Sequence, residues 1–145
     1  MSEIQFKKID PAAVIPQRAT AGSAGLDLRA CLTEPVTLKK GEHALIPTGL
    51  AVKVEDGFAA MLFARSGLAI KHGIGLLNGV GVVDSDYRGE IRVGVINQFE
   101  ETYTIEPNER IAQMVVMPVS LAPVIEVDEL DETDRGAGGF GSTGR

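Results

Sequence analysis

Apolar runs of only a few residues, each cut off by glycine, proline or aspartate, restrict this chain more than any other feature. With 17 glycines and 7 prolines among 145 residues, a long helix has nowhere to form, whereas short extended segments fit between the breaks. Such segments read at residues 4–9, 36–38, 43–47, 50–54, 59–63, 91–96, 102–105, 111–117 and 124–127. Regular spacing of this kind predicts an all-β fold, an antiparallel sandwich or barrel. Residues 66–72 alone suit about two helical turns, with Ser66 as the N-cap.

A single domain of ordinary size accommodates the chain, and 44% apolar residues supply its core. Fourteen basic against twenty acidic side chains leave a net charge of −6, which opposes binding to a nucleic acid polymer. An anionic ligand must then be met by local arginines. Cys31 is the only cysteine, so an intramolecular disulfide is excluded, and its neighbours Leu28, Ala30 and Leu32 mark it as a buried, inert thiol. No apolar run reaches the ~18 residues that span a membrane, and residues 1–8 lack the apolar centre of a secretion signal. A cytoplasmic protein with no membrane partner is the expectation.

Residues 76–95 are the most informative stretch. Asn78 is followed by Gly79 and Gly81, then Val82 and Val83 lead into the acidic turn Asp84-Ser85-Asp86, which carries Tyr87 and Arg88. After Gly89 the chain alternates strictly between polar and apolar residues up to Val95, as a half-buried strand does. A β-hairpin with Asp and Gly as turn formers is one reading. A nucleotide pocket with a carboxylate base is the other.

The end of the chain differs in character. Six of the nine residues 126–134 are acidic, and five of the last ten are glycine, with Phe140 as the only aromatic. Such a segment cannot bury enough surface to fold alone. The chain therefore divides into a β domain, residues 1–127, and a flexible arm, residues 128–145. Phe140, flanked by Gly138-Gly139 and Gly141, is of no use to a purely solvating tail, but a lid over a planar ligand can use it.

Four segments besides 76–95 stand out: AGSAGLDL (21–28), ARSGLA (64–69), ERIAQM (109–114) and DRGAGGFGSTGR (134–145). Together with NGVGVVDSDYRGE (78–90) they are similar, in order and spacing, to the five motifs of the trimeric dUTP pyrophosphatase (dUTPase) family. The resemblance covers almost the whole chain. Ala64 stands where the second motif usually has proline; Arg65 and Ser66 remain.

The resemblance implies a distorted antiparallel β-barrel or jelly-roll-like sandwich with one short helix, assembled as a homotrimer whose active sites are shared between subunits. It implies hydrolysis of dUTP to dUMP and pyrophosphate by a water attacking the α-phosphorus, which keeps uracil out of DNA and supplies dUMP for dTMP synthesis. Asp84 is then the base that activates the water. Magnesium is implied as cofactor, with Asp27 holding it through water. Asn78, Gly79 and Val83 belong to the uracil-reading hairpin, and Tyr87 lies against the sugar and excludes a 2′-hydroxyl. Arg65, Ser66, Arg110, Gln113 and Arg135 bind phosphates, Gly67, Gly138 and Gly139 complete the substrate-binding set, and Phe140 stacks over the base.

Two other functions compete. One is deamination of dCTP by an enzyme of related fold; the other is a non-catalytic trimeric binding protein. The uncharged Asn78-Gly79 opening and the Gly-rich arm suit uracil rather than cytosine, whose donor and acceptor positions would leave buried groups unpaired at about 1–3 kcal/mol each.

Overall fold

A computed structural model describes residues 3–144. Met1, Ser2 and Arg145, the outer ends of the expected domain and arm, lie outside the described residues. Among the described residues the order is β1 (Gln5–Lys8), β2 (Leu26–Arg29), β3 (Val36–Leu38), β4 (His43–Pro47), β5 (Leu50–Lys53), β6 (Phe58–Phe63), α1 (Ser66–His72), β7 (Ile74–Leu76), β8 (Gly81–Val83), β9 (Arg92–Asn97), β10 (Tyr103–Ile105) and β11 (Arg110–Pro118). A four-stranded sheet runs β2-β11-β6-β8 and a three-stranded one β4-β9-β7, with the pairs β1-β5 and β3-β10 beside them. Every pairing is antiparallel. Of the two architectures expected, the sandwich is found: the sheets face a shared core and none closes into a barrel.

The core follows from the period of two. Along β9, Val93, Val95 and Asn97 are buried while Arg92 is exposed. Leu26 and Leu28 of β2, Ala60 and Leu62 of β6, and Ile111 and Met114 of β11 join the same apolar cluster. Cys31 is half-buried at its edge, and burial, followed by the charges of Asp10 and Glu90, pushes its thiol pKa up. The group stays a thiol and is a poor nucleophile.

Helix α1 occupies the expected residues but begins differently. Ser66 is not the N-cap: it is the first helical residue, and Arg65 caps with extended backbone and no side-chain hydrogen bond. Gly73 ends the helix at φ 69, donating its N–H to Ala69 O; a Cβ there would lie 2.5 Å from the Phe99 ring. Only glycine satisfies both conditions.

Residues 76–95 do not form the hairpin that their sequence suggests. Strand β8 pairs with β6, whereas β7 and β9 pair with each other in the other sheet. The Asn78-Gly79 turn and the acidic turn therefore carry the chain from one sheet to the other and back. Local alternation fixes which face of a strand is buried, but not which strand it pairs with. Residues 124–127 form no strand, and Val124 and Ile125 are exposed, because no neighbouring edge within the chain receives them. Beyond β11 the described residues contain no helix or strand. Among the described residues, no helix is long and apolar enough to cross a membrane.

Asn97 is wholly buried and ties three segments together. Its Nδ2 donates to Leu38 O at 2.9 Å and to Glu101 O at 2.8 Å, and its Oδ1 accepts from Phe99 N at 2.9 Å. Replacing it leaves two carbonyls and an amide without partners. Asn97→Ala should lower unfolding stability by about 2–4 kcal/mol in a denaturant titration, and a loss below about 0.5 kcal/mol would show that the site repacks freely.

Candidate functional site

Crossing between sheets opens a cleft of about 370 Å³ where β8 meets β9, lined among others by Leu62, Asn78, Gly81, Val83, Asp84 and Tyr87. Strand β8 is the last of its sheet, so one backbone edge has no strand partner among the described residues. Asp84 follows the strand directly and is exposed. Its carbonyl accepts from Tyr87 N at 3.2 Å, which closes the acidic turn. Asp86, on the same turn, is also exposed and does not line the cleft.

Tyr87 is seated from below. Its hydroxyl donates to Glu90 O at 2.9 Å, and Glu90 in turn accepts from Arg92 Nε at 3.0 Å. A Cβ on Gly89 would stand 2.3 Å from the Tyr87 hydroxyl. Gly89 thus makes room for the ring, a dependence that the motif contains but its spacing does not explain. Gly79 and Gly81 differ in purpose. Gly79 adopts φ 73 in open space, as its turn requires, whereas Gly81 sits where a Cβ would press to 3.0 Å against Leu62.

A second constellation lies across β6 from β8, on β11, β2 and the residues just past Phe63. Asp27 of β2 pairs across to Gln113 of β11, and Gln113 to Phe63 of β6, so the three stand in one row. Arg65, just past Phe63, donates from Nε to Asp27 Oδ1 at 3.2 Å, and Arg110 donates from Nη1 to Asp27 Oδ2 at 3.1 Å. Arg65 Nη1 also reaches Arg110 O at 3.3 Å, and Gln113 Nε2 reaches Ala64 O at 3.0 Å. Arg110 and Gln113, three residues apart, would face opposite sides of a regular strand. A register shift between Arg110 and Ala112, the mark of a bulge, pairs Arg110 with Arg29 and Gln113 with Asp27, which restores both to one face.

Ser66 and Gly67 are exposed at the start of α1 beside this cluster. Gly25 leaves space for Gln113: a Cβ there would meet its Oε1 at 2.4 Å. Arg18, which has no counterpart among the sequence-predicted residues, ties down the loop before β2 through Ser23 O at 2.6 Å and Ala24 O at 3.0 Å. No three His, Cys, Asp or Glu side chains gather among the described residues. Asp27 is the one carboxylate of the cluster, partly exposed and flanked by two guanidiniums. That donor set cannot cage a dication, but it suits one that keeps its waters and takes most of its oxygens from a phosphate ligand.

The expected residues therefore fall into three places. Asn78, Val83, Asp84 and Tyr87 share the cleft; Asp27, Arg65, Arg110 and Gln113 share the cluster and do not line it. From Ala60, paired with Val83, to Phe63 at the near edge of the cluster is about 10 Å of strand, and Arg65 lies beyond. The third place is the arm, which bonds within itself: Arg135 Nε donates to Gly138 O at 2.7 Å. Gly138 and Gly139 are half-buried, while Phe140 is fully exposed at φ 53, a region that bulky side chains seldom adopt.

Sequence reasoning also missed Tyr103. Its hydroxyl donates to Glu109 Oε1 at 2.8 Å, next to Arg110 in the chain. Burial, then the Glu109 hydrogen bond and charge, push its pKa from 10.0 up to about 12, against a smaller opposing effect of Arg65.

The family model for dUTPase matches residues 12–144. This chain belongs to the dUTPase family. The deoxyuridine 5'-triphosphate nucleotidohydrolase of Hahella chejuensis is 60% identical over 131 residues, covering 90% of this chain and 86% of the relative. The enzyme of that name from Fusobacterium nucleatum subsp. nucleatum is 51% identical over 146 residues, with both chains covered in full. Among solved structures, the dUTPase of Staphylococcus bacteriophage 80alpha with dUPNHPP superposes with a TM-score of 0.90 at 28% identity, with both chains again fully covered. A mutant dUTPase of phage phi11 of S. aureus, described with a structural Mg(II) ion, is alike in fold at TM-score 0.80 and 24% identity. Neither dCTP deamination nor a non-catalytic role finds support in these likenesses.

For Tyr103 the sign of its pH effect is fixed. A tyrosine whose folded pKa is raised contributes stability that is fully present below its unfolded pKa, near 10, and is lost as pH rises toward about 12. In a Tyr87→Phe variant Tyr103 is the sole tyrosine of the chain. Its phenolate absorbance should titrate near 12 when folded and near 10 in denaturant; a folded midpoint near 10 would contradict the part-buried hydrogen bond to Glu109.

Proposed function

We propose that this dUTPase-family enzyme hydrolyses dUTP to dUMP and pyrophosphate, with Asp84 as the general base. The observation that carries the assignment is the cleft in which Asp84, Asn78 and Tyr87 converge beside the unpaired edge of β8. Uracil presents acceptor, donor and acceptor in a row, a pattern that free backbone N–H and C=O groups along such an edge can match. Asn78 orients the base, Gly79 and Val83 bring the backbone to it, and the Tyr87 ring, held by Glu90 O, lies against the sugar and leaves no room for a 2′-hydroxyl.

Asp84 takes a proton from a water as that water attacks the α-phosphorus; the bond to the pyrophosphate oxygen breaks and dUMP remains in the cleft. Arg65, Ser66, Gly67, Arg110 and Gln113 receive the other phosphates. Magnesium fits the Asp27 donor set through water, and when bound it neutralises phosphate charge. Residues 128–145 form a flexible arm on the domain of residues 1–127. Arg135, Gly138 and Gly139 add phosphate and backbone contacts, and Phe140 covers the base.

In one chain the cleft lies on the β8 side of β6 and the arginine cluster on its β11 side. That separation supports a homotrimer in which each site draws on more than one subunit. The enzyme acts in the cytoplasm on free nucleotide, keeping uracil out of DNA and providing dUMP for dTMP synthesis; its net charge of −6 speaks against a nucleic acid polymer as partner.

Asp84→Asn preserves shape and removes the proton acceptor. Turnover of dUTP should fall about 10²- to 10⁴-fold while binding of dUPNHPP is retained. Near-normal turnover would refute Asp84 as the base.

A further inference from the structure

Tyr103 and Glu109 have no role in the reading above, yet they stand between the two elements that carry its phosphate-binding side chains. The Tyr103 ring packs on His72, the last residue of α1, with centroids 4.9 Å apart and planes at 45°. Its hydroxyl grips Glu109 Oε1. Helix α1 starts directly after Arg65, and β11 starts directly after Glu109. One pair of side chains thus links the far end of the Arg65–Ser66 helix to the residue that precedes Arg110.

The backbone around Glu109 is held with equal care. Ala30 N donates to Glu109 O at 2.8 Å, Glu109 N donates to Glu106 O at 3.1 Å, and Arg29 Nη1 donates to Asn108 O at 2.9 Å. Asn108 itself takes φ 66, a conformation that asparagine tolerates better than most residues. Arg65 is near enough for its charge to act on the Tyr103 hydroxyl. The second carboxylate oxygen, Glu109 Oε2, is buried and has no hydrogen-bond partner among the described residues. Packing alone does not favour a desolvated carboxylate held by one bond; an apolar side chain or an amide would cost less there. Glu109 leads directly into Arg110, so a side chain fixed at this point has a use in setting where that guanidinium stands.

We infer that Tyr103 and Glu109 are positioning residues for the triphosphate side of the site. The Tyr103 hydroxyl fixes the Glu109 carboxylate, and that carboxylate, with the helix end clamped at His72, sets how Arg65 and Arg110 are presented together. Neither touches substrate. The inference rests on the reading that Arg65, Ser66 and Arg110 bind the phosphates beyond the α-position.

Two substitutions in the full-length oligomer separate the parts. Tyr103→Phe keeps the ring on His72 and removes the donor; Glu109→Gln keeps the shape and removes the charge. Binding is measured by calorimetry for dUPNHPP, which carries all three phosphates, and for dUMP, which carries one, with Arg110→Ala as reference. Both variants should weaken dUPNHPP about three- to tenfold and leave dUMP within about twofold. Equal weakening of the two ligands would reduce the pair to general structure and overturn the inference. Unchanged dUPNHPP binding, with Arg110→Ala still selective against it, would overturn the inference alone. An Arg110→Ala enzyme that binds dUPNHPP normally would overturn the phosphate reading beneath it. Should Tyr103→Phe fail to fold, Glu109→Gln, which leaves the hydroxyl an acceptor, decides between these results.

Discussion

The row Asp27–Gln113–Phe63 across three strands, together with the bulge just before it in β11, is the constraint on which the arginine cluster depends. Without the extra residue at Ile111, Arg110 and Gln113 would face opposite sides of the sheet, and Arg110 could not reach the carboxylate that Arg65 also holds. The same insertion lets Ile111 and Ala112, neighbours in sequence, both be buried. A local irregularity in the ladder therefore serves core packing and site geometry together. The glycines complete it. Gly25 admits Gln113 in the cluster, and Gly89 admits Tyr87 in the cleft.

The two sides of β6 carry different chemistry. On the β8 side, a backbone edge stays open among the described residues, and the chain's crossing into the other sheet builds a pocket lined by two acidic residues, Asp84 and Glu90. On the β11 side, two guanidiniums flank Asp27, in a protein whose net charge is −6. The proposed nucleoside and phosphate sites thus lie on opposite sides of one strand, which supports the proposal that the complete site is assembled from copies of the chain. Among the described residues the arm's hydrogen bonds run between its own near neighbours, from Thr133 to Gly144, and Phe140 is exposed, consistent with a segment whose partner lies elsewhere.

Much of this was legible in the sequence, and what was not has identifiable causes. Strand positions emerged because glycine and proline punctuate the chain and because β9 alternates cleanly; the helix 66–72 emerged because its flanks exclude a longer one. Pairing did not. Residues 76–95 look like a hairpin, but β8 joins β6, since register depends on which apolar faces meet across the core rather than on the turn. Ser66 looked like an N-cap because of its type, whereas the extended backbone at Arg65 begins the helix one residue earlier. Residues 124–127 have the composition of a strand and lack an edge to join. The five motif segments supplied the candidate residues of the cleft and the cluster, yet Tyr103 and Glu109 escaped notice, because a tyrosine six residues before a glutamate has no signature until the fold brings His72 against the ring.

Mixing of subunits tests the division of the site between chains most directly. Asp84→Asn lacks the proposed base and Arg110→Ala a proposed phosphate ligand, so each alone should be nearly inactive. Unfolded together in equal amounts and refolded as mixed oligomers, they should regain about a quarter of wild-type turnover, the share of sites that draw an intact Asp84 from one chain and an intact Arg110 from another under random closed assembly. A refolded mixture no more active than its two parents would contradict shared sites and would require one chain to bring its cleft and its arginines together by itself.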